Sequence, residues 1–321
     1  MSTPFSPDRG APDGGAPVGY RSGFACLLGR PNTGKSTLLN ALVGEKVAIT
    51  SNKPQTTRHT IRGVVTRPDG QLIVVDTPGL HRPRTLLGQR LNDLVADTLA
   101  EVDILVMCIP ADEDSGPGDT FIARQLAQTG TAVVGAVTKT DLVSPSRLAP
   151  RLVAAERLLA DCELTDIVPV SALTGAGVDV LHEVLLRRLP EGPVLFPDGE
   201  LTDEPEVTIV AELIREAALE GLEDELPHSL AVTVEEMLPR EGWHGRDAAD
   251  RLVDVYATLH VERSSQKPIV LGPGGRRLKQ VGTDARRQIE RLLGTKVYLN
   301  LHVSVAKDWQ RSPKQLRKLG Y

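Results

Sequence analysis

Eight residues constrain this chain more than any others. Gly29-Arg30-Pro31-Asn32-Thr33-Gly34-Lys35-Ser36 reads G-x-x-x-x-G-K-S. Ahead of it, Phe24-Ala25-Cys26-Leu27-Leu28 is a short apolar run suited to a buried strand. Behind it, Thr37-Leu38-Leu39-Asn40-Ala41-Leu42 reads as a helix. A glycine loop between a strand and a helix N-terminus is built to hold phosphate. Gly29 and Gly34 let the backbone curl so that successive N–H groups converge on phosphate oxygens, and the helix end adds partial positive charge. Lys35 is then placed to reach the β- and γ-phosphates of a nucleotide, and the Ser36 hydroxyl to bind Mg²⁺. Gly29, Asn32, Thr33, Gly34, Lys35, Ser36 and Thr37 form the expected phosphate-binding set. A plain glycine turn would not need all four fixed positions and both flanks to agree.

Strands alternate with helices along the next 160 or so residues, which predicts an open, mostly parallel sheet with helices on both faces. Gln71-Leu72-Ile73-Val74-Val75 is a strand running into Asp76-Thr77-Pro78-Gly79. Asp76 at the strand end is a Mg²⁺ carboxylate, acting through Ser36 or water, and the Gly79 peptide can turn toward a γ-phosphate. Leu80 follows, where a glutamine could orient the attacking water, so another group must do so. The polar stretch from Lys46 to Arg58 reads as a loop. Such a loop in a nucleotide switch offers a threonine to the γ-phosphate and Mg²⁺. Thr56 and Thr57 both qualify, and spacing does not choose between them. The basic turn His81-Arg82-Pro83-Arg84 leads into a helix.

The strand Ala132 to Val137 ends in Thr138-Lys139-Thr140-Asp141, and the strand Ile167 to Val170 ends in Ser171-Ala172. A carboxylate at Asp141 accepts from guanine N1–H and N2–H₂, a pair adenine lacks. Lys139 packs its stem on the base face, and Ala172 offers its N–H to guanine O6. These tetrapeptides are weak alone; their order behind the phosphate loop predicts GTP rather than ATP.

Charge separates the two ends of the chain. Residues 263–321 hold 14 Lys+Arg and 3 Asp+Glu, a balance of +11, while the remainder carries −16. A basic end on an acidic protein suggests a polyanionic partner. Residues 1–20, rich in Pro, Gly and Ala, are expected as a disordered tail, and residues 191–204, dense in Pro, Gly and acids, as a linker. The first domain then spans 21–190 and a second spans 205–321. In the second, a helix from Val207 to Leu222, a break at Pro227, strands at Leu230–Val234 and Leu252–Glu262, a basic helix to Leu293 and a strand Lys296–Val305 are predicted. Gly272-Pro273-Gly274-Gly275 is a G-x-x-G loop at the mouth of the basic helix. Small residues let a nucleic-acid backbone approach closely, and Arg276, Arg277 and Lys279 neutralise phosphate. The element order gives a smaller α+β domain of the KH type, and an RNA-binding role for Gly272, Gly274, Gly275 and the three cations. Three scattered cysteines, Cys26, Cys108 and Cys162, follow no metal spacing and read as reduced thiols. No apolar run is long enough to cross a bilayer and no signal-peptide core is present, which predicts a cytoplasmic protein.

The chain resembles the Era family, bacterial GTPases of the translation-factor-like class. The likeness rests on Gly29 to Ser36, Lys53-Pro54-Gln55-Thr56-Thr57-Arg58, Asp76 to Gly79, Ser171-Ala172 and the ending Leu316-Arg317-Lys318-Leu319-Gly320-Tyr321. It implies a P-loop GTPase domain followed by a type II KH domain. It implies GTP hydrolysis, GTP/GDP and Mg²⁺ as ligands, and catalytic roles for Lys35, Thr56, Thr57 and Gly79. It further implies binding of the 3′ end of small-subunit (16S) ribosomal RNA and a task in assembly of the small ribosomal subunit, with room for peripheral attachment to the inner face of the cell membrane. Related GTPases with an apolar residue at the Leu80 position bind K⁺ through the residue matching Asn32, which implies a K⁺ ion here. Two positions depart from the family: Thr138 stands where Asn is usual, and Pro273 where a basic residue is usual. Three rivals remain: a GTPase serving tRNA modification, an RNA-binding module whose nucleotide site is structural, and a membrane-linked cell-cycle switch, for which only peripheral attachment is open.

Overall fold

A computed structural model describes residues 17–51, 53, 56–80, 85–222, 226–240 and 252–321. The expected tail, apart from its last four residues, the turn at 81–84, and Asn52, Pro54 and Gln55 of the switch-like loop lie outside the described residues. The chain divides into two compact units: residues up to 47, 61–76 and 97–203 form the first, and 48–60, 77–96 and 204–321 form the second.

The first unit is a six-stranded sheet in the order β2-β3-β1-β4-β5-β6. Its strands are β1 (Arg21–Leu28), β2 (Ile61–Arg67), β3 (Gly70–Asp76), β4 (Ile104–Pro110), β5 (Ala132–Thr138) and β6 (Leu164–Pro169). All pairings are parallel except β2 with β3. Every residue of β3 and of β4 is buried, as expected of strands covered on both faces. The covering helices include α1 (Lys35–Val43), α3 (Pro117–Ala127), α4 (Pro145–Leu158) and α5 (Val178–Arg188), while α2 (Leu86–Leu99) belongs mostly to the other unit.

Two features of this unit were not legible in the pattern. Strand β2 carries Arg62, Gly63 and Arg67, so it shows no clean alternation, yet it pairs with β3 over its whole length. Gly63 is needed there, because a Cβ would sit 2.5 Å from Val43 Cγ2 and 2.6 Å from Leu39 Cδ1. The expected linker is also tied down. Gln71 accepts at Oε1 from the Leu195 and Phe196 N–H groups and donates from Nε2 to the Phe196 carbonyl. Val64 N–H donates to Leu201 O, and Arg62 pairs with Asp203 at 2.6 Å. The strap thus meets the exposed side of edge strand β2.

The second unit contains α6 (Glu206–Leu219), α7 (Leu226–Ser229), β7 (Ala231–Pro239), β8 (Leu252–Val261), α8 (Lys267–Leu271), α9 (Arg276–Leu293), β9 (Lys296–Val305) and α10 (Pro313–Lys318). Helix α6 stops earlier than its apolar period suggests, at a chain reversal where Gly221 has φ +67°. Pro227 lies inside the short α7 rather than in a simple break, and β7 runs five residues beyond Val234. The sheet order is β7-β8-β9, antiparallel then parallel. Its alternation is the expected one: Val255, Ala257, Leu259 and Val261 are buried in one core with α6 residues Val210, Leu213 and Ile214 and α9 residues Val281, Ala285 and Ile289. Each Val, Leu or Ile side chain among them contributes about 1.5–3 kcal/mol by leaving water.

Segments 48–60 and 77–96, read from sequence as parts of the first domain, pack with the second unit. Ile49 joins its main core, and Leu87 and Leu91 of α2 join Trp309, Leu316 and Leu319 in a second cluster. Arg58 is 2% exposed. Its guanidinium donates to Leu230 O and, at 2.9 Å, to His228 O, and lies over the rings of Trp309 and Tyr321. Arg215, fully buried against Glu212, also donates to Thr56 O. Among the described residues no helix is long and apolar enough to cross a membrane.

Candidate functional site

The loops expected to hold a nucleotide leave the C-terminal ends of β1, β3, β5 and β6, side by side on one edge of the first unit's sheet. After β1 the backbone turns through three positive φ values, Gly29 (149°), Asn32 (66°) and Gly34 (91°). Such a turn gathers N–H groups into an anion-binding concavity, and it runs directly into the N-terminus of α1. Glycine at 29 is compulsory for a second reason: a Cβ would lie 2.7 Å from Cys108 O and from Thr33 Oγ1.

Lys35 is buried, and burial lowers its pKa. Its ammonium donates to the carbonyls of Gly29 (3.2 Å) and Arg30 (2.9 Å), so the loop holds the lysine over its own floor. Ser36 Oγ donates to Asp76 Oδ2 at 2.6 Å. A hydroxyl and a carboxylate, both hard oxygen donors in contact at the loop, suit Mg²⁺. Beneath them Cys108 is inert, its thiol pushed up by burial to about 12.

The residues expected to read the base meet in the same unit. Thr138 Oγ1 donates to Thr33 O at 2.7 Å, so threonine ties the base loop to the phosphate loop. Lys139 takes a positive φ of 55° and pairs with Asp112. Asp141, exposed, accepts at Oδ1 from Ser171 Oγ at 2.6 Å. Ser171 itself receives Thr174 N–H, and Ala172 follows it, half-buried. The carboxylate is therefore aimed by Ser171, a partner the motif reading placed at the site without this role. Thr37 lies in the first turn of α1. Thr56, Thr57 and Gly79 belong to the segments that pack with the second unit.

In the second unit the G-x-x-G loop joins α8 to α9. Gly272, Gly274 and Gly275 have φ of 69°, 59° and 75°. Nothing lies within 4 Å of a Cβ built at Gly274 or Gly275, whereas at Gly272 it would meet Arg277 Cβ at 2.6 Å. Arg276 and Lys279 are exposed. Arg277 differs from the other two cations in its surroundings. Its guanidinium donates to the carbonyls of Ala218, Glu220 and Gly221, the orphan acceptors at the end of α6. It closes the end of that helix. All three cysteines are free thiols.

Residues 24–139 match the family model described as 50S ribosome-binding GTPase, and residues 225–310 match the KH domain model. GTPase Era of Mycobacterium avium is 64% identical over 304 residues, covering 94% of this chain and 99% of that protein. The chain belongs to the Era family of GTPases. GTPase Era of Streptomyces coelicolor is 62% identical, covering 94% of this chain and 95% of that one. A solved Era structure in complex with MgGDPNP and nucleotides 1506–1542 of 16S ribosomal RNA superposes with TM-score 0.88 at 36% identity, covering 94% of this chain and 99% of that one. A variant of Aquifex aeolicus Era bound to GDP·AlF4⁻ gives TM-score 0.87 at 37% identity with the same coverage. Like other Era proteins, this chain is a GTPase with a KH domain, and GTP, GDP and Mg²⁺ are its ligands.

Proposed function

We propose that the chain is a GTP-hydrolysing switch whose KH domain holds the 3′ end of small-subunit ribosomal RNA during assembly of the small subunit. The observation that carries this reading is the set of four loops on one sheet edge, linked by the Thr138–Thr33 and Ser36–Asp76 hydrogen bonds. They present phosphate, metal and base recognition together. The rRNA partner is inferred from the related Era complex with the 16S rRNA fragment.

In this reading Lys35 leaves the Gly29 and Arg30 carbonyls for the β- and γ-phosphates. Ser36 and Asp76 hold Mg²⁺, which neutralises charge developing on the transferred phosphoryl group. Thr56 or Thr57, with Gly79, senses the γ-phosphate, so hydrolysis releases both segments. Asp141 selects guanine. The Leu80 side chain has no polar atom to position water or charge, and Asn32 supplies an oxygen ligand for K⁺ in compensation. Gly272, Gly274 and Gly275 admit the RNA backbone, with Arg276 and Lys279 at its phosphates.

Turnover by the full-length protein tests the nucleotide half. GTP should be hydrolysed faster in K⁺ than in Na⁺ at equal ionic strength, and ATP poorly in either. Asn32→Ala should lose the ion difference and keep GTP binding. Equal rates in the two salts would remove K⁺ from the site. Crosslinking in cells followed by sequencing of the bound RNA tests the other half: recovery of tRNA instead of the rRNA 3′ end would favour the modification rival.

A further inference from the structure

The segment between β4 and α3 touches both recognition loops, and no motif covers it. Asp119, in the first turn of α3, is fully buried. Its Oδ2 accepts from Gly116 N–H at 2.8 Å, closing the start of the helix. Its Oδ1 accepts from Arg30 Nε, also at 2.8 Å. Arg30 is a variable position of the phosphate-loop pattern, yet its carbonyl is where Lys35 Nζ (2.9 Å) and Thr33 Oγ1 (3.1 Å) are held. The path of the Arg30 main chain therefore sets where the phosphate-loop lysine begins. Gly118 keeps room for the arginine stem, since a Cβ there would lie 2.7 Å from Arg30 Cδ.

The same segment reaches the base loop at its other end. Ala111 N–H donates to Thr138 O at 2.8 Å, and Asp112 Oδ2 pairs with Lys139 Nζ at 3.4 Å. Lys139 sits at a strained φ of 55°, a conformation that costs a non-glycine residue about 1–2 kcal/mol and persists where neighbours hold it.

We propose that Asp119 and Asp112 are positioning residues for the GTPase reaction, bracing the phosphate loop through Arg30 and the base loop through Lys139. The inference rests on the nucleotide reading above. A buried carboxylate that served only to cap α3 would need no arginine from the phosphate loop. A surface pair Asp112–Lys139 would by itself be worth little, but here it fixes one of the residues that faces the base.

The two arms predict different losses. Asp119→Asn keeps an acceptor for Gly116 N–H and removes the buried one of Arg30's two charged partners, leaving the more exposed Glu113 at 3.2 Å. It should weaken GDP about tenfold, shrink the preference for GDP over GMP, and leave the preference for GTP over inosine triphosphate intact. Lys139 starts the short turn Thr140–Leu142 that carries Asp141, so Asp112→Asn should do the reverse, displacing the carboxylate expected at the N2 amino group and lowering the GTP-over-inosine preference while sparing the GDP-over-GMP ratio. Arg30→Ala should match Asp119→Asn, the double variant should be no worse than either single one, and Arg30→Lys should recover part of the loss. A purely structural role would instead scale all four nucleotides together and lower the melting temperature. Calorimetric titration of the full-length protein with each nucleotide, alongside thermal melts, separates the outcomes. Proportional losses, or GDP affinity unchanged in both Asp119→Asn and Arg30→Ala, would overturn the brace. Failure of the wild type to bind GDP would overturn the nucleotide reading itself.

Discussion

Single side chains decide selectivity and acid response in the first unit. Asp141 is aimed by Ser171, so its carboxylate is already presented as a double acceptor. Asp141→Asn should weaken GTP by about 1–3 kcal/mol, the worth of a charged hydrogen-bond partner. It should favour xanthosine triphosphate, whose extra carbonyl needs a donor. Competition binding checks this, and equal affinity of the wild type for ATP and GTP would sink the assignment. His182 acts on stability rather than binding. It is 1% exposed on α5, and neither ring nitrogen has a partner among the described residues. Burial, helped by nearby Arg67, pushes its pKa down to about 4. The unfolded chain takes up this proton near pH 6.5 while the folded chain stays neutral until about 4. Across that window the unfolded state binds more protons, so stability falls as the pH falls. Melting curves between pH 7 and 4.5 should show a shallower decline for His182→Gln than for the wild type, and equal slopes would count against the assignment.

Elements of secondary structure were legible where burial is two-sided or alternates, and illegible where side chains replace pattern. β3 and β4 announce themselves because every position is buried. β8 does so because alternate residues are. β2 is hidden by Arg62 and Gly63, the latter being required for α1 to close. The strap after α5 is hidden because Gln71 holds it by three amide hydrogen bonds, which no periodicity records. The loops expected to hold ligands are marked by their motifs, but their supports (Arg30 to Asp119, Ser171 to Asp141, Arg277 to α6) are contacts between residues distant in sequence. The loop before α9 turns this distinction into a prediction. Arg277→Ala should lower the melting temperature by leaving the α6 carbonyls without their cation, a cost of about 1–2 kcal/mol. Arg276→Ala should leave melting unchanged and weaken all single-stranded RNA together, lowering the salt slope by about 0.7. Gly274→Asp meets no neighbour within 4 Å and should fold at a cost of about 1–2 kcal/mol for its positive φ, yet block RNA by bulk and charge. Gly274→Ala separates the strain from the charge. Filter binding of the full-length variants at several salt concentrations reads all four, and tight RNA binding by Gly274→Asp would reduce the loop to a turn.

At the scale of the whole molecule, the segments expected to sense the γ-phosphate are built into the unit that carries the KH domain. Thr56 O receives Arg215, Thr50 N–H donates to Glu216, and Arg58 occupies the pocket of Leu230, Trp309 and Tyr321. Tyr321 closes this arrangement: its ring stacks between His59 and Trp309, and its main-chain oxygen accepts from Arg90 of α2. A fragment beginning near residue 205 would lack these segments and expose Trp309 and the carbonyls of His228 and Leu230, so RNA binding belongs in tests of the full chain. If GTP orders segments that also pack against the KH unit, nucleotide state and RNA affinity are linked, and the linkage is reciprocal. Arg58 is the residue through which it can be measured. Arg58→Ala should cost roughly 3 kcal/mol, since two buried carbonyls lose a charged donor, whereas Arg62→Ala, removing a half-exposed ion pair, should cost less than about 1 kcal/mol. Beyond stability, Arg58→Ala should shrink the ratio of RNA affinities measured with a GTP analogue and with GDP toward one, while each nucleotide still binds. Arg58→Lys should not restore the ratio, because one ammonium cannot reproduce the planar fork that serves two carbonyls and two aromatic faces. RNA titrations of wild type and both variants in each nucleotide state decide the matter: a wild-type ratio of one, or a variant ratio equal to the wild type's, would mean that the packing of 48–60 holds the fold together without transmitting the state of the nucleotide.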